Sequence, residues 1–194
     1  MTIHEDNGVS SELEDLAQGI ADQAESFLLA LQEIAREGDR RTAVPLLLLE
    51  VSQLLLAGGR LGVQTDFVPT EEYEPDVGPD PDLDLMRERL ARLLEGVDDF
   101  TEVFDPYADP PELVSSRLSD DLADIAASVA HGLRHHRSGS VQEALWWWQF
   151  SYVSSWGAEA SASLRALQSV IGHDRLDSHQ SEAEASRVAA ADEI

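Results

Sequence analysis

The chain has 194 residues, with 38 acidic and 13 basic side chains and a formal charge of −25, and it contains neither Cys nor Lys. The absence of Cys excludes disulfides, thiol nucleophiles and thiolate metal sites. The acidity argues against direct contact with nucleic acids or anionic membranes, because both are bound through basic side chains. A hydrophobic fraction of 43% is typical of a globular chain, so we expect one folded domain.

The first predicted element is an amphipathic helix over residues 11–37. Apolar residues recur through it at helical spacing, and charged residues occupy the opposite face. Ser11 and Glu14 have the spacing of a capping box, which predicts that the helix begins at this point. Residues 1–10 are therefore predicted to be a disordered N-terminus.

The second predicted helix, residues 41–61, is apolar on almost every side. Pro45 lies in its first turn, where the missing N–H group costs little. A helix of this kind is usually covered on several sides, so we expect it to be the central helix of the fold. One narrow polar stripe, which contains Glu50, Gln53 and Arg60, is left to face water or a polar partner.

Residues 64–82 are predicted to form a long, acidic, Pro-rich loop, with seven carboxylates, four Pro residues and no basic side chain. Loops of this length in compact domains are often functional or disordered. Two interpretations remain open. The loop is either a solvated connector or a docking surface for a basic partner, and mimicry of DNA is a variant of the second interpretation. Its candidate binding residues are Glu71, Glu72, Tyr73 and Glu74.

Three further helices are predicted after this loop. The first spans residues 82–95 with Asp80 as its N-cap, the second begins at Ser119 and ends near 137, and the third spans residues 141–172. The stretch between the first two is mixed in character, and no strand pattern of any length is visible in it.

The expected fold is all-α, a bundle of about five helices with the long acidic Pro-rich loop. We expect a single helical-bundle domain over residues 11–173. Residues 174–194 lose the apolar pattern and are predicted to be a disordered tail.

Asp124, His131 and His135 share one face of the predicted fourth helix. Two His residues four positions apart can hold a divalent cation, and a carboxylate could complete the site. The His-Glu-x-x-His motif is absent, however, and a solvated face with pairs at i, i+4 is commoner. No metal or other cofactor is therefore assigned, and these three residues remain weak metal candidates.

Glu50 lies inside the apolar second helix. A buried, unpaired carboxylate would have a raised pKa, and perturbed carboxylates are common at active sites. The alternative is that Glu50 is one half of an ion pair, with Arg60 or Arg165 as its partner. No set of catalytic residues is complete in the sequence, so no catalytic residue is assigned.

Trp146, Trp147 and Trp148 are consecutive, so they span about 200° of a helix and cannot all face one core. An exposed Trp is a favoured anchor at protein interfaces. The alternative is that the loop over residues 64–82 covers it. Trp146 and Trp147 are therefore included among the candidate binding residues.

Several blocks of sequence, in the same order, resemble an actinobacterial family that is described only as a domain of unknown function. The blocks are IADQAESFLLAL (20–31), AVPLLLLEVSQLLLAGGRLG (43–62), EVFDPY (102–107), SDDLADI (119–125) and EALWWWQFSYVSSWGAEASASLRALQS (143–169). The resemblance covers residues 15–173. It implies an all-helical fold and carries no activity to this chain.

Two functional hypotheses follow. The first is a non-catalytic helical module of the cytoplasm that binds another protein, for which the charge favours a basic partner. The second is a small ligand- or metal-binding bundle, or an enzyme, with a cleft near Glu50 and the Trp-bearing helix. The first predicts an exposed apolar patch with an acidic rim, and the second predicts a pocket where Glu50 meets an Arg or His. We favour the first, with no direct nucleic acid or membrane contact.

The cytoplasmic location is expected because the N-terminus lacks the features of a signal peptide, and the oligomeric state is left open.

Overall fold

A computed structural model of the protein describes residues 4–70, 72, 73 and 75–192, with side chains described over 11–70, 72, 73 and 75–176. Helices account for 71% of the chain, and the described residues also form one two-stranded sheet. In chain order the elements are α1 (His4–Glu37), α2 (Arg40–Gly62), α3 (Asp84–Leu93), β1 (Asp99–Val103), β2 (Leu113–Arg117), α4 (Leu118–Arg137), α5 (Val141–Ser151) and α6 (Gly157–Asp192). A π-helical turn, Tyr152–Trp156, joins α5 to α6, so that the two run as one long helix.

Both ends of the chain are more helical than the sequence predicts. The first helix, α1, begins at His4, so Ser11 lies inside it and is not its cap. The last helix, α6, continues to Asp192. The described parts of the segments predicted as disordered, 1–10 and 174–194, are therefore helical. The prediction relied on apolar periodicity, which reports packing, whereas the tail is rich in Ala and Glu, which favour a helical backbone without any packing.

The central helix of the bundle is α4, and the prediction that α2 is central is wrong. Helix α4 packs against α1, α3, α5 and α6, and ten of its 20 residues are buried. Helix α2 packs against α1, α5, α6 and the π-helical turn, but eight of its 23 residues are buried, and Leu46, Leu49 and Leu56 on its other side are exposed. An apolar composition shows that a helix can be covered all round, but it does not determine which of its sides the neighbours reach.

The core has two connected parts. The larger one includes Phe27 of α1, Leu54 of α2 and Ile125 of α4. The smaller one gathers Ile20 of α1 and other residues around Trp148 of α5. Because Ile20 and Phe27 are both buried, the apolar stripe predicted for the first helix is confirmed.

The prediction of a purely α-helical fold is wrong at residues 99–117, where β1 and β2 form an antiparallel hairpin. The inward-facing residues are Phe100 and Glu102 on β1 and Val114 and Ser116 on β2. The hydroxyl group of Ser116 donates a hydrogen bond of 2.8 Å to the carboxylate of Glu102. Since two of these four inward side chains are polar, the alternation that normally identifies a strand is absent from the sequence.

The start of α4 is stabilised by a residue outside the helix. Helix α4 begins at Leu118, and Ser119 is buried inside its first turn instead of capping it. The backbone N–H and the hydroxyl of Ser119 donate hydrogen bonds of 2.8 and 2.9 Å to the carboxylate of Asp98, and Arg117 donates another of 2.9 Å. Asp98 thus takes the place of the predicted cap and ties the hairpin to α4.

Candidate functional site

The consecutive Trp residues diverge, as the helix geometry requires. Trp148 is fully buried, and its indole N–H donates a hydrogen bond of 3.1 Å to the carbonyl of Val129. Trp147 is half-buried and donates a hydrogen bond of 2.9 Å to the carbonyl of Ser128. Its ring centroid lies 4.2 Å from that of His131. Both side chains therefore pack on α4, and Trp147 is not an exposed anchor.

Trp146 faces the connection between α2 and α3. Its ring stacks on Phe150, with centroids 5.7 Å apart. Trp146 and Phe67, which belongs to the connection, line a shallow groove of about 340 Å³. The first residues of the predicted loop therefore partly cover Trp146. This corresponds to the second interpretation of the Trp cluster, in which the loop covers a Trp side chain.

Side chains of α5 hold the first part of the α2–α3 connection. The side-chain oxygen of Gln149 accepts a hydrogen bond of 2.8 Å from the backbone N–H of Phe67. The carboxylate of Glu143 accepts one of 3.0 Å from the backbone N–H of Thr70. These two contacts fix the path of the chain after α2.

The last part of the same connection is held by α4. One carboxylate oxygen of Asp80 lies 2.5 Å from Nη2 of Arg134 and 3.2 Å from Nδ1 of His131. Hydrogen bonds from these two side chains lower the pKa of the Asp80 carboxyl below its ordinary value. Asp80 is therefore not the N-cap predicted from the sequence, and α3 begins only at Asp84.

The acidic candidate residues lie between these two attachments. Glu72 and Tyr73 are exposed, and 80% of Tyr73 is accessible to solvent. Glu71 and Glu74 lie outside the described residues. The described part of this candidate surface is thus open to solvent on a connection that is fixed at both ends.

The weak metal candidates do not assemble into a site. His135 is fully buried, and Asp124 is exposed. His131 is engaged by Asp80 and Arg134. Among the described side chains, no group of three or more His, Asp or Glu residues is placed to hold a metal ion. The shared helix face that the spacing predicted is occupied by the connection and by α5.

Glu50 lies partly buried on α2. One of its carboxylate oxygens is buried and has no hydrogen-bond partner among the described residues. Burial raises the pKa of this carboxyl above its ordinary value. The two Arg residues considered as partners lie elsewhere, because Arg60 packs against Gly19 of α1 and Arg165 lines a groove on α6.

The sequence analysis missed an exposed apolar face on α2. It consists of Leu46, Leu49 and Leu56 of α2 and of Val63, the C-cap residue directly after the helix. Their exposed fractions are 46, 50, 71 and 82%, and we call this surface the α2 apolar face. Each of these side chains leaves about half or more of its surface exposed. The signal was present in the sequence as apolar residues on every side of the helix, but it was interpreted as evidence for a central helix.

Helix α2 is also, within the described part of the chain, the one helix long and apolar enough to cross a membrane. Its mean hydropathy is 1.5, and 39% of the most apolar stretch is buried in the fold. A single such helix is weak evidence for a membrane span, since core helices of soluble proteins have the same composition.

A second feature missed from the sequence is a group of four carboxylates where the hairpin, α4 and α6 meet. We call Glu102, Asp121, Asp124 and Glu159 the carboxylate cluster. Burial, together with the charges of Glu102 and Glu159, raises the pKa of Asp121 to about 7. Burial, together with the charges of Asp124 and Glu102, also raises the pKa of Glu159. One oxygen of Glu159 is buried without a hydrogen-bond partner among the described residues, so the cluster carries negative charge that is not fully compensated.

The raised pKa of Asp121 has a consequence for stability. Between its ordinary value of 3.8 and about 7, the folded state binds more protons at this group than the unfolded state does. The stabilisation from protonating Asp121 is therefore present at low pH and is lost as the pH rises through about 7. The unaltered chain should gain stability on going from about pH 8 to pH 5, and we expect Asp121→Asn to make this gain smaller by about 1 kcal/mol. The expected difference is modest because solvent screens a partly buried carboxyl.

Urea unfolding of the unaltered chain and of the Asp121→Asn variant at several pH values measures this difference. Asp80→Asn is the matched control. The pKa of Asp80 is lowered, so its titration lies below the window and the variant should keep the unaltered slope. Equal slopes for the Asp121→Asn variant and the unaltered chain would show that Asp121 does not titrate near neutral pH.

A large groove of the described surface lies between β1 and α6. Its volume is about 820 Å³, and it is lined on one side by residues 99–104 and on the other by residues of α6 such as Ala162, Arg165 and Ala166. We call it the β1–α6 groove. Glu102 belongs both to its wall and to the carboxylate cluster, so the cluster lies beside the groove.

Comparison with known proteins gives a family and a fold but no activity. The family described as "Domain of unknown function (DUF5063)" matches residues 11–173. No curated protein matches the chain. The crystal structure of protein BF1032 from Bacteroides fragilis, a structural-genomics target, is similar with a TM-score of 0.62 and 22% identity, over 78% of this chain and 89% of that one. At this identity the likeness concerns the fold alone.

Proposed function

The chain belongs to the DUF5063 family, which has no established activity, and we propose that it is a non-catalytic module that binds a basic partner protein. The observation that carries the proposal is the α2 apolar face. Large apolar side chains that no other element covers are characteristic of protein interfaces. The first hypothesis from the sequence expected such a patch, although it expected it at the acidic loop and the Trp residues.

The spacing of residues along this face fits a helix from the partner. Leu49, Leu56 and Val63 recur every seven positions, and Ser52 and Gly59 lie between them at the intermediate positions. This alternation of three and four residues is the pattern by which two helices pack along a seam. The small side chains at the intermediate positions leave room for the side chains of an incoming helix.

Charge favours a basic partner. The side chains of the α2 apolar face and those at the intermediate positions carry no charge, and the exposed Arg60 lies beside them, whereas the whole chain carries −25. A partner with an apolar helix surrounded by Lys and Arg would bury the face and would be attracted by the remaining surface. Glu72 and Tyr73, exposed on the fixed connection, would supply acidic and aromatic contacts at the rim. We place this function in the cytoplasm, without contact to nucleic acid or a membrane.

The alternative of a ligand- or metal-binding bundle has less support. It required an Arg or His next to Glu50, and the two Arg residues considered for that role pack at other places. It also required that the candidate His pair face an open cleft, whereas His135 is fully buried. The geometry around these residues therefore favours the binding module.

Site-specific photo-crosslinking in the native host tests the proposal. A photoreactive amino acid is placed at Leu56, on the α2 apolar face, or at Leu176 of α6 as a matched control. The two side chains are exposed to 71 and 63%. We expect a discrete adduct with one basic protein from position 56, none from position 176, and loss of the adduct when Leu49→Gln is added.

The possible adducts separate the proposal from its competitors. The same set of adducts at both positions would mean that the α2 apolar face is ordinary surface. An adduct only with a second copy of this chain would contradict a basic partner, and an adduct only with lipid would contradict a protein partner. The photoreactive residue replaces an exposed side chain at both positions, so the folded core is unchanged and loss of folding does not confuse the result.

A further inference from the structure

The outer edge of β1 is open towards the β1–α6 groove. The backbone N–H of Phe104 donates to Glu112, and that of Leu118 donates to Asp98, so the even-numbered residues of β1 bond to β2. Antiparallel pairs alternate, and the N–H and C=O groups of the odd-numbered residues, including Thr101, therefore point away from β2. In the described part of the chain the sheet has two strands, so no third strand occupies this edge.

The opposite wall of the groove leaves space for an extended chain. All five residues of β1 and the following Phe104 line the groove, and no residue of β2 does, as expected when the edge of the strand faces it. The wall from α6 is built mainly from small side chains, namely Ala158, Ser161, Ala162, Ala166 and Ser169. Small side chains on a helix set back its surface, so a strand can lie between α6 and β1.

The charge at the groove selects the chemistry of the occupant. Asp99, Glu102 and Asp174 line the groove, with Arg165 and His173 as the basic residues. Glu102 continues into the carboxylate cluster, where one oxygen of Glu159 is buried without a hydrogen-bond partner. A Lys or Arg side chain from an occupant would neutralise charge there that the described residues leave uncompensated.

We propose that the β1–α6 groove binds an extended, basic segment of a partner protein, which adds to β1 as a third strand and directs a Lys or Arg side chain towards Glu102. The main-chain hydrogen bonds supply affinity, and alternate side chains of the segment supply specificity. This surface is separate from the α2 apolar face, so the inference holds or fails independently of the proposed function.

The probe is an eight-residue peptide of alternating Val and Lys, blocked at both ends, added to the isotopically labelled full chain. We expect the peptide to shift the amide signals of residues 99–103 and to slow hydrogen exchange of the Thr101 amide. We also expect Thr101→Pro to weaken binding about tenfold, because it removes an N–H group that points into the groove and is not used in pairing with β2. The shifts are measured on the unaltered chain and do not depend on the folding of a variant.

Ser115→Pro is the matched control. Ser115 pairs directly with Thr101, and its N–H points away from the groove on the other edge of the hairpin, so this variant should bind as the unaltered chain does. A second control peptide has the same number of Lys residues but Pro in place of Val, which prevents strand pairing. Equal binding of the two peptides, equal effects of the two Pro variants, or no binding at about 1 mM peptide would overturn the inference.

Discussion

Trp148→Ala is expected to lower the free energy of unfolding by about 3–5 kcal/mol, the range for removing a fully buried aromatic side chain. Trp148 has no exposed surface and gathers the second part of the core from α1, α2 and α4. Its indole N–H also bonds to the carbonyl of Val129, so the substitution removes a buried hydrogen bond as well as a large apolar volume. Gly132 leaves no room for a Cβ beside this indole, which shows how closely α4 and α5 pack.

Trp146→Ala is the matched control for this prediction. Trp146 lies two residues earlier on the same helix, is half-buried and stacks on Phe150 at the edge of a groove. Its removal should cost about 1 kcal/mol, the contribution of an aromatic pair near the surface. Urea unfolding followed by far-UV circular dichroism measures both variants without depending on Trp fluorescence. Equal losses in the two variants would contradict the assignment of Trp148 as the core residue.

Gly58→Ala and Gly59→Ala are expected to change stability in opposite directions, although they are neighbours in one helix. A Cβ at position 58 would overlap the ring of Tyr152 and lie 2.7 Å from Cη2 of Trp156, whereas a Cβ at position 59 would meet nothing within 4 Å. Overpacking should make Gly58→Ala destabilising by about 2 kcal/mol. Gly59→Ala should be stabilising by up to about 1 kcal/mol, because Ala is the better helix former.

The same unfolding measurement, made on both variants, tests the pair. The contrast depends on the π-helical turn, Tyr152–Trp156, which carries both of the aromatic rings that pack on α2. If both substitutions stabilised the protein, helix propensity alone would explain them, and the close approach of this turn to α2 would be wrong.

Local features of the sequence were informative where one helix could be judged by itself. The apolar stripe of α1, including Ile20 and Phe27, is buried as predicted. In an amphipathic helix the spacing of the apolar residues shows which side is buried. The divergence of the three Trp residues followed in the same way from the rotation per residue of a helix. The ordered sequence blocks indicated a family described only as a domain of unknown function, and the match of residues 11–173 to DUF5063 confirms a family of that description.

Features that depend on two or more segments were predicted less well. Asp80 and Ser119 have the residue types of N-caps, yet Asp80 binds Arg134 and Ser119 binds Asp98. In both contacts the partner residue lies more than 20 positions away in the sequence. A polar side chain can satisfy its hydrogen bonds equally well in a cap or in a distant contact, and only the folded arrangement decides between them.

The sequence by itself determined that the chain builds an acidic, largely helical fold, because composition and helical periodicity are properties of single segments. The tertiary structure decided which face of α2 stays exposed, how the hairpin directs its free edge towards α6, and that Glu102 meets Asp121 and Glu159 across three elements. Each of these depends on which neighbours pack against a surface. An apolar or charged residue has the same identity whether a neighbour covers it or leaves it for a partner, so the candidate binding surfaces became visible only in the packed molecule.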